Sequence, residues 1–292
     1  DRMFPMLRFF RHAGGGIAHF HGSGIGREDL AAAVLRHDNT NGRFSDQANS
    51  SRFHRLSAGN CVVIADIGAP LSGPLGEKNN ASTLSFEFSS GRSLLVVNAG
   101  IDRMHREDYE EAARKTAAHS TLCVDNHSSS RIEAFKLGPK LVHRVITAPS
   151  SVQTQPWDID QAHGFSARHD GYVRTAGLWH ERGLLMFDDG HRIDGYDRLT
   201  PDSTIHETMH KADVRFHLHP RVAISAIDDD DVLELRSDTG ELWRFSANGA
   251  VPKIEDSIFL AGVIGPVYNK QIVLSFDYPE HDNVTWRFER IQ

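Results

Sequence analysis

TLSFEFSSGRSLLVVNAG, residues 83–100, followed by TAAHSTLCVDN, residues 116–126, decides how this chain reads. Leu84, Phe86 and Phe88 alternate with Thr83, Ser85 and Glu87, the two-residue period of a half-buried strand. Ser89-Ser90-Gly91 turns that strand into the apolar run Leu94 to Val97, and Asn98 and Gly100 close it. The pattern predicts a hairpin with one wet face. His119 then opens a third strand, with Leu122 and Val124 facing one way and Cys123 and Asp125 the other. If that strand pairs with the hairpin, Ser82, Asn98 and His119 share a polar face.

Outward from this stretch the texture is strand and turn. The predicted strands include Gly171–His180, Leu184–Phe187, Arg192–Leu199, Asp213–His219, Ala223–Ile227, Val232–Arg236, Glu241–Ser246, Tyr268–Tyr278 and Val284–Arg290. Turns are predicted at Glu181-Arg182-Gly183, Asp189-Gly190, Asp228 to Asp231 and Asp238-Thr239-Gly240. Short strands at this spacing predict a mainly β chain, a multi-sheet antiparallel β-sandwich with two or three short helices. The helices fall at Arg27–Arg36 and Arg106–Lys115, each with acidic residues in its first turn. Residues 1–50 read as a junction segment with a strand-like Ile17–His21 and a polar loop at Asn39–Ser51; residues 51–292 read as the sandwich domain.

Composition narrows the function. The chain has 292 residues, a charged fraction of 24% and a net charge of −7, with Lys and Arg scattered, so no basic face for nucleic acid is expected. Apolar runs such as Cys61 to Ile67 end far short of a membrane span. No signal peptide is visible, although the first residue is Asp1 rather than Met. Cys61 and Cys123 lie in apolar runs and read as buried thiols ahead of a disulfide. Four consecutive aspartates at 228–231 lack the spaced ligands and distal Glu of a calcium loop and read as a solvated turn.

Two histidine groups carry candidate chemistry. His217 and His219 in FHLHP stand two apart on a strand and are candidate ligands for one metal; a polar seam between sheets is the other reading. His119 follows a helical spacer, which places it at an element boundary facing a cleft. With Asn80, Ser82 and Asn98 it makes a polar surface suited to sugar hydroxyls or a carboxylate, or else it is a structural histidine. No nucleophile elbow, phosphate loop, CxxC pair or HExxH occurs.

LSFEF at 84–88, the run ending VVNAG at 96–100 and AHSTL at 118–122 resemble the C-terminal β-domain of heparinase II/III-like polysaccharide lyases. So do FFRHAGGGIAHFHGSG at 9–24, HDGYVRTAGLWHERGLLMFDDGHRIDGYDRL at 169–199 and FHLHP at 216–220. The resemblance implies a two-sheet sandwich that partners an N-terminal helical toroid, a periplasmic setting, and β-elimination on uronic-acid polysaccharide. That reaction neutralises the substrate carboxylate, removes the C5 proton and protonates the leaving O4. Carried over by position, the family's metal ligands fall on Asn80, Asn98 and His119, and a catalytic His falls on Lys78. Two carboxamides and one imidazole suit zinc poorly, so no cofactor is expected. The expected catalytic residues are therefore His119 and Lys78, with Asn80, Ser82 and Asn98 binding substrate. The expected partners are acidic polysaccharide and the toroid, without which little turnover is expected. The alternatives are a non-catalytic acidic-glycan-binding or structural β-domain, and a metal-dependent β-fold enzyme using His217 and His219.

Overall fold

A computed structural model describes residues 3–23, 28–38, 47–48, 52–102, 104, 106–138, 140–203, 208–227 and 231–291. The predicted loop at Asn39–Ser51, apart from two residues, and most of the aspartate turn lie outside the described residues. In chain order the elements are α1 (Met3–Phe9), α2 (Glu28–Arg36), β1 (Gln47–Ala48), β2 (Phe53–Ala58), β3 (Cys61–Asp66), β4 (Phe86–Ser90) and β5 (Ser93–Val97). Then come α3 (Glu107–Arg114), β6 (Leu122–Val124), β7 (Arg131–Leu137), β8 (Lys140–Thr147), β9 (Val152–Ile159), β10 (Ala162–Tyr172), α4 (Val173–Ala176), β11 (Leu178–Phe187) and β12 (Arg192–Pro201). The last are β13 (His210–Leu218), β14 (Ala223–Ile227), β15 (Val232–Arg236), β16 (Leu242–Asn248), β17 (Pro252–Phe259), β18 (Val267–Tyr278) and β19 (Asn283–Arg290).

Two large antiparallel sheets result. The first runs β1-β2-β3-β4-β5-β13-β18-β17, with β6 joined to β13; the second runs β14-β15-β16-β19-β12-β11-β10-β9. Strands β7 and β8 form a separate hairpin. Alternation puts Phe86, Phe88 and Phe216 of the first sheet against Trp243, Phe245, Trp286 and Phe288 of the second, all buried. Phe86 stacks on Trp286 with centroids 5.6 Å apart, and Phe88 meets Trp243 edge-on at 5.1 Å. This is the mainly β sandwich with short helices that the strand periods predict.

Several local expectations fail, each for a tertiary reason. The third strand does not pair with the hairpin: β6 pairs with β13, which itself joins β5 through His217–Val97. Gly171–His180 is not one strand, because the chain turns through α4 and leaves it at Gly177, which has φ +68°. Glu181-Arg182-Gly183 is not a turn but the middle of β11. Its charges are tolerated there because Arg182 sits opposite Asp197 and Glu181 opposite Arg198. Ile17–His21 makes a single bridge, Ile17 to Arg11, instead of a strand. Both cysteines are free and buried, and burial pushes each thiol up to about 11.

The hairpin's wet face is covered too. Every residue of β4 is buried, Glu87 completely. Residues 9–23 lie across the outer side of the first sheet like a strap. Arg55 on β2 pins its start by donating Nη1 to the Phe9 and Arg11 carbonyls, each at 2.7 Å. Phe9, Ala18 and Phe20 pack on Phe53, Val62 and Ile64. At Gly14 the backbone passes so near that a Cβ would sit 2.8 Å from the Arg92 carbonyl.

Candidate functional site

Under the strap, Glu87 is the only charged residue of β4 and accepts bonds from both sides. His12 Nε2 donates to it at 3.0 Å, the His19 backbone N–H at 3.1 Å and the Asn98 N–H at 3.2 Å. The His19 ring nitrogen Nδ1 lies 3.6 Å from the same carboxylate. Because His12 Nε2 donates, its Nδ1 accepts from Ser89 Oγ at 3.0 Å. Burial works to raise the Glu87 pKa, but the His19 charge and the bonds from both histidines outweigh it and hold the carboxyl well below its usual range. Glu87→Gln leaves both imidazoles without their anion. It is expected to lower stability by about 2–4 kcal/mol, read as a fall in calorimetric Tm, whereas an unchanged Tm would show the anion to be dispensable.

Beside it, the predicted group comes together below the surface. His119 ends the 3-10 turn Thr116–Ala118 with extended backbone, so it is at an element boundary as expected. It does not face a cleft, being 1% exposed. Nδ1 donates to the Lys115 carbonyl at 2.9 Å, which leaves Nε2 to accept from Asn80 Nδ2 at 3.3 Å. Desolvation lowers its pKa to about 4, so it is neutral at pH 7 and a weak base. Asn98 Oδ1 accepts the Ser120 N–H at 3.0 Å. Ser82 Oγ donates to Asp66 at 2.7 Å, and His21 touches both Asp66 (3.4 Å) and the Asn80 N–H (3.4 Å). Lys78 is exposed two residues before Asn80.

This donor set does not fit zinc. Asn80 turns an amide hydrogen, not a lone pair, toward His119, and Asn98 spends its oxygen on a backbone N–H. Among the described residues, no three His, Cys, Asp or Glu side chains are grouped to hold a metal. His217 and His219 do share a side, beside the alternate residues Ser257 and Phe259 of β17. However, His217 already donates Nε2 to the Ala117 carbonyl at 3.0 Å and accepts from Ser257 Oγ at 2.8 Å. Desolvation first, then the neighbouring His119, lowers its pKa to about 3.

The open part of this face lies on the other flank of Glu87. A cavity of about 470 Å³, within the usual range for ligand sites, is lined by His12, His19, Arg92, His219, Arg221 and Asp238. Phe259 forms its apolar wall, edge-on to His19 at 5.7 Å and to His219 at 5.5 Å. Burial and the Arg221 charge lower the His219 pKa to about 4, and its Nδ1 accepts the Arg221 N–H at 3.3 Å, leaving Nε2–H as a donor. Arg221 also meets Asp238 at 3.4 Å, while Arg92 has no ion pair among the described residues. Of these six, sequence reasoning reached only His219. The signal for two others was the recurrence of histidine at 12, 19 and 21.

Comparison with known proteins agrees with the fold. The chain superposes on heparan sulfate lyase HepC from Pedobacter heparinus with TM-score 0.73 at 12% identity, covering 99% of this chain and 46% of that one. A heparinase III structure gives TM-score 0.71 at 10% identity, covering 99% and 48%. The FtsZ-localized protein C of Caulobacter vibrioides (strain NA1000 / CB15N) is 30% identical over 253 residues, which is 83% of this chain and 43% of that protein. The chain thus spans less than half the length of these relatives. The family model for the heparinase II/III-like C-terminal region matches residues 40–287, and the chain belongs to that family.

Proposed function

We propose that this domain is the sheet wall of an acidic-polysaccharide site in a longer heparinase II/III-like protein, and that β-elimination is the reaction of that longer protein. One observation carries the reading: the cavity beside Glu87 sets the cations Arg92 and Arg221 next to the neutral donor His219. Those groups neutralise and orient a uronate carboxylate, which acidifies the C5–H bond. His119, Asn80, Ser82 and Asn98 hold the sheet beneath that site, since their polar atoms are bonded to one another, to backbone or to the buried carboxylates Asp66 and Glu87. The helical half of the family contributes the groups that move the proton.

The double variant Arg92→Ala/Arg221→Ala is expected to bind a heparin-type oligosaccharide about tenfold more weakly by calorimetry. Affinity equal to that of the unaltered protein would remove the cavity from the reading. In a protein carrying the toroid, the ultraviolet absorbance of unsaturated uronate products reports turnover. Binding without product supports the second reading, a glycan-binding domain without catalysis. Two facts favour that reading: the hub around His119 is buried, and the relative from Caulobacter is named for localisation with FtsZ.

A further inference from the structure

A second groove, about 1020 Å³ in volume, lies away from the strap, between the end of α3, the β7–β8 hairpin and α4. Its size is at the upper limit for a small-molecule pocket, which suits a ligand that passes along it. Its charges are unevenly spent. Glu111 pairs with Lys115 at 3.0 Å, Glu133 pairs with Arg131, and Asp170 accepts the Ser150 and Ser151 N–H groups at 2.8 and 3.1 Å. Among the described residues, neither Arg114 nor Arg174 has a carboxylate within ion-pair distance; Arg174 reaches only Thr147 Oγ1, at 3.3 Å. Of the side-chain donors of Arg114, only Nη1 has a partner among the described residues, the Asn79 carbonyl at 2.9 Å.

Two side-chain atoms of residues that line this groove are buried with no hydrogen-bond partner among the described residues: Arg114 Nε and Ser130 Oγ. Both residues are at least nine-tenths buried and line the groove. A buried cation with idle donors and a buried idle hydroxyl are each costly unless something supplies hydrogen-bond partners. His143, also buried there, has its pKa lowered by desolvation first and then by the Arg114 charge. Ser128, Thr147 and Thr175 add hydroxyls to the lining, which holds no Phe, Tyr or Trp among the described residues.

We infer that this groove is a second saccharide-binding site, taking a carboxylate or sulfate group of an acidic glycan at Arg114 and Ser130, with Arg174 on the next anionic group. The saccharide class rests on the function proposed above; the need for an oxyanion rests on the groove alone.

The test titrates the 292-residue chain with a heparin-derived oligosaccharide, a neutral maltooligosaccharide and a polyglutamate peptide, reading stoichiometry and affinity by calorimetry. Two events are expected with the acidic saccharide and none with the neutral one. Arg174→Ala/Ser130→Ala is expected to remove one event or weaken it at least tenfold. This pair is chosen because Arg174 is exposed and Ser130 Oγ has no partner to lose, so folding should survive, unlike in an Arg114 variant. The same event should persist in Arg92→Ala/Arg221→Ala. If Arg174→Ala/Ser130→Ala leaves both events intact, or if only one event occurs and only the Arg92 and Arg221 changes abolish it, the groove inference is overturned and the cavity reading stands. Polyglutamate bound as tightly as the saccharide overturns the glycan assignment, and no acidic saccharide binding at all overturns both.

Discussion

Arg182→Met should cost this domain about 3–5 kcal/mol, the largest loss expected from any single substitution at its sheet interface. Arg182 is buried between the sheets and uses three of its nitrogens. Nε and Nη2 grip Asp197 at 2.9 and 3.0 Å, and Nη1 donates to the Leu84 and Ser120 carbonyls at 2.8 and 2.7 Å. Those carbonyls flank the polar hub, so a residue of the second sheet fixes the backbone beside Ser85 and His119 on the first. Leu84 has φ +64°, a conformation unfavourable for a branched side chain, and its bond to Arg182 helps to hold it there. The variant leaves Asp197 buried and charged with only His180 (2.8 Å) and Trp286 (2.9 Å) as donors. Urea unfolding measures the loss. Adding Asp197→Leu should recover part of it, because removing both partners avoids a stranded charge. A single variant as stable as the parent would show that the clamp is not what joins the sheets.

Acidification should unfold the domain early, starting near pH 6.5 rather than at the carboxylate range. The cause is a set of histidines buried in neutral form. Gly171 N–H donates to His169 Nδ1, so His169 Nε2 carries the hydrogen given to His180 Nδ1, and His180 Nε2 gives its own to Asp197. That chain holds only when both rings are neutral. Burial lowers the pKa of both; it also lowers His119 to about 4 and His217 to about 3. For each, the folded pKa lies below the unfolded value of about 6.5, so the unfolded chain takes up protons first. Stability from these groups is fully present above pH 6.5. It falls by up to about 1.4 kcal/mol per pH unit per imidazole as pH drops toward 4. Glu87 and Asp197, held low, add to the loss at still lower pH; Asp66, raised by burial, works the other way. Urea midpoints at pH 7, 5.5 and 4.5 should decline steadily, and a flat series would contradict the neutral-histidine account.

The two-residue alternation of Phe86 and Phe88 and of Val214, Phe216 and Leu218 was enough to predict strands, and Asp189-Gly190 enough to predict a hairpin turn. Such signals are local: one apolar face, one turn dipeptide. Arg182 misled for the opposite reason. A charged triplet ending in glycine has turn chemistry, and nothing nearby in sequence shows that Asp197 waits across the strand. Glu87 looked solvated because its alternation with phenylalanine is that of an outward position, which it is. What covers it comes from residues 75 and 68 positions earlier, His12 and His19. The neighbourhood of Asn80, Ser82, Asn98 and His119 was legible through resemblance; its burial was not.

By itself the sequence determined the class of fold, the family and the residue types along the polar face, because alternation, turn residues and motif strings are written within a few positions of one another. Only the tertiary structure decided that this face is roofed by residues 9–23, that His119 is sealed while His12, His19 and His219 border an open cavity, and that Arg114 and Ser130 are left wanting an acceptor. Those outcomes depend on which distant groups desolvate or satisfy one another, and that is settled by packing in three dimensions rather than by any local pattern.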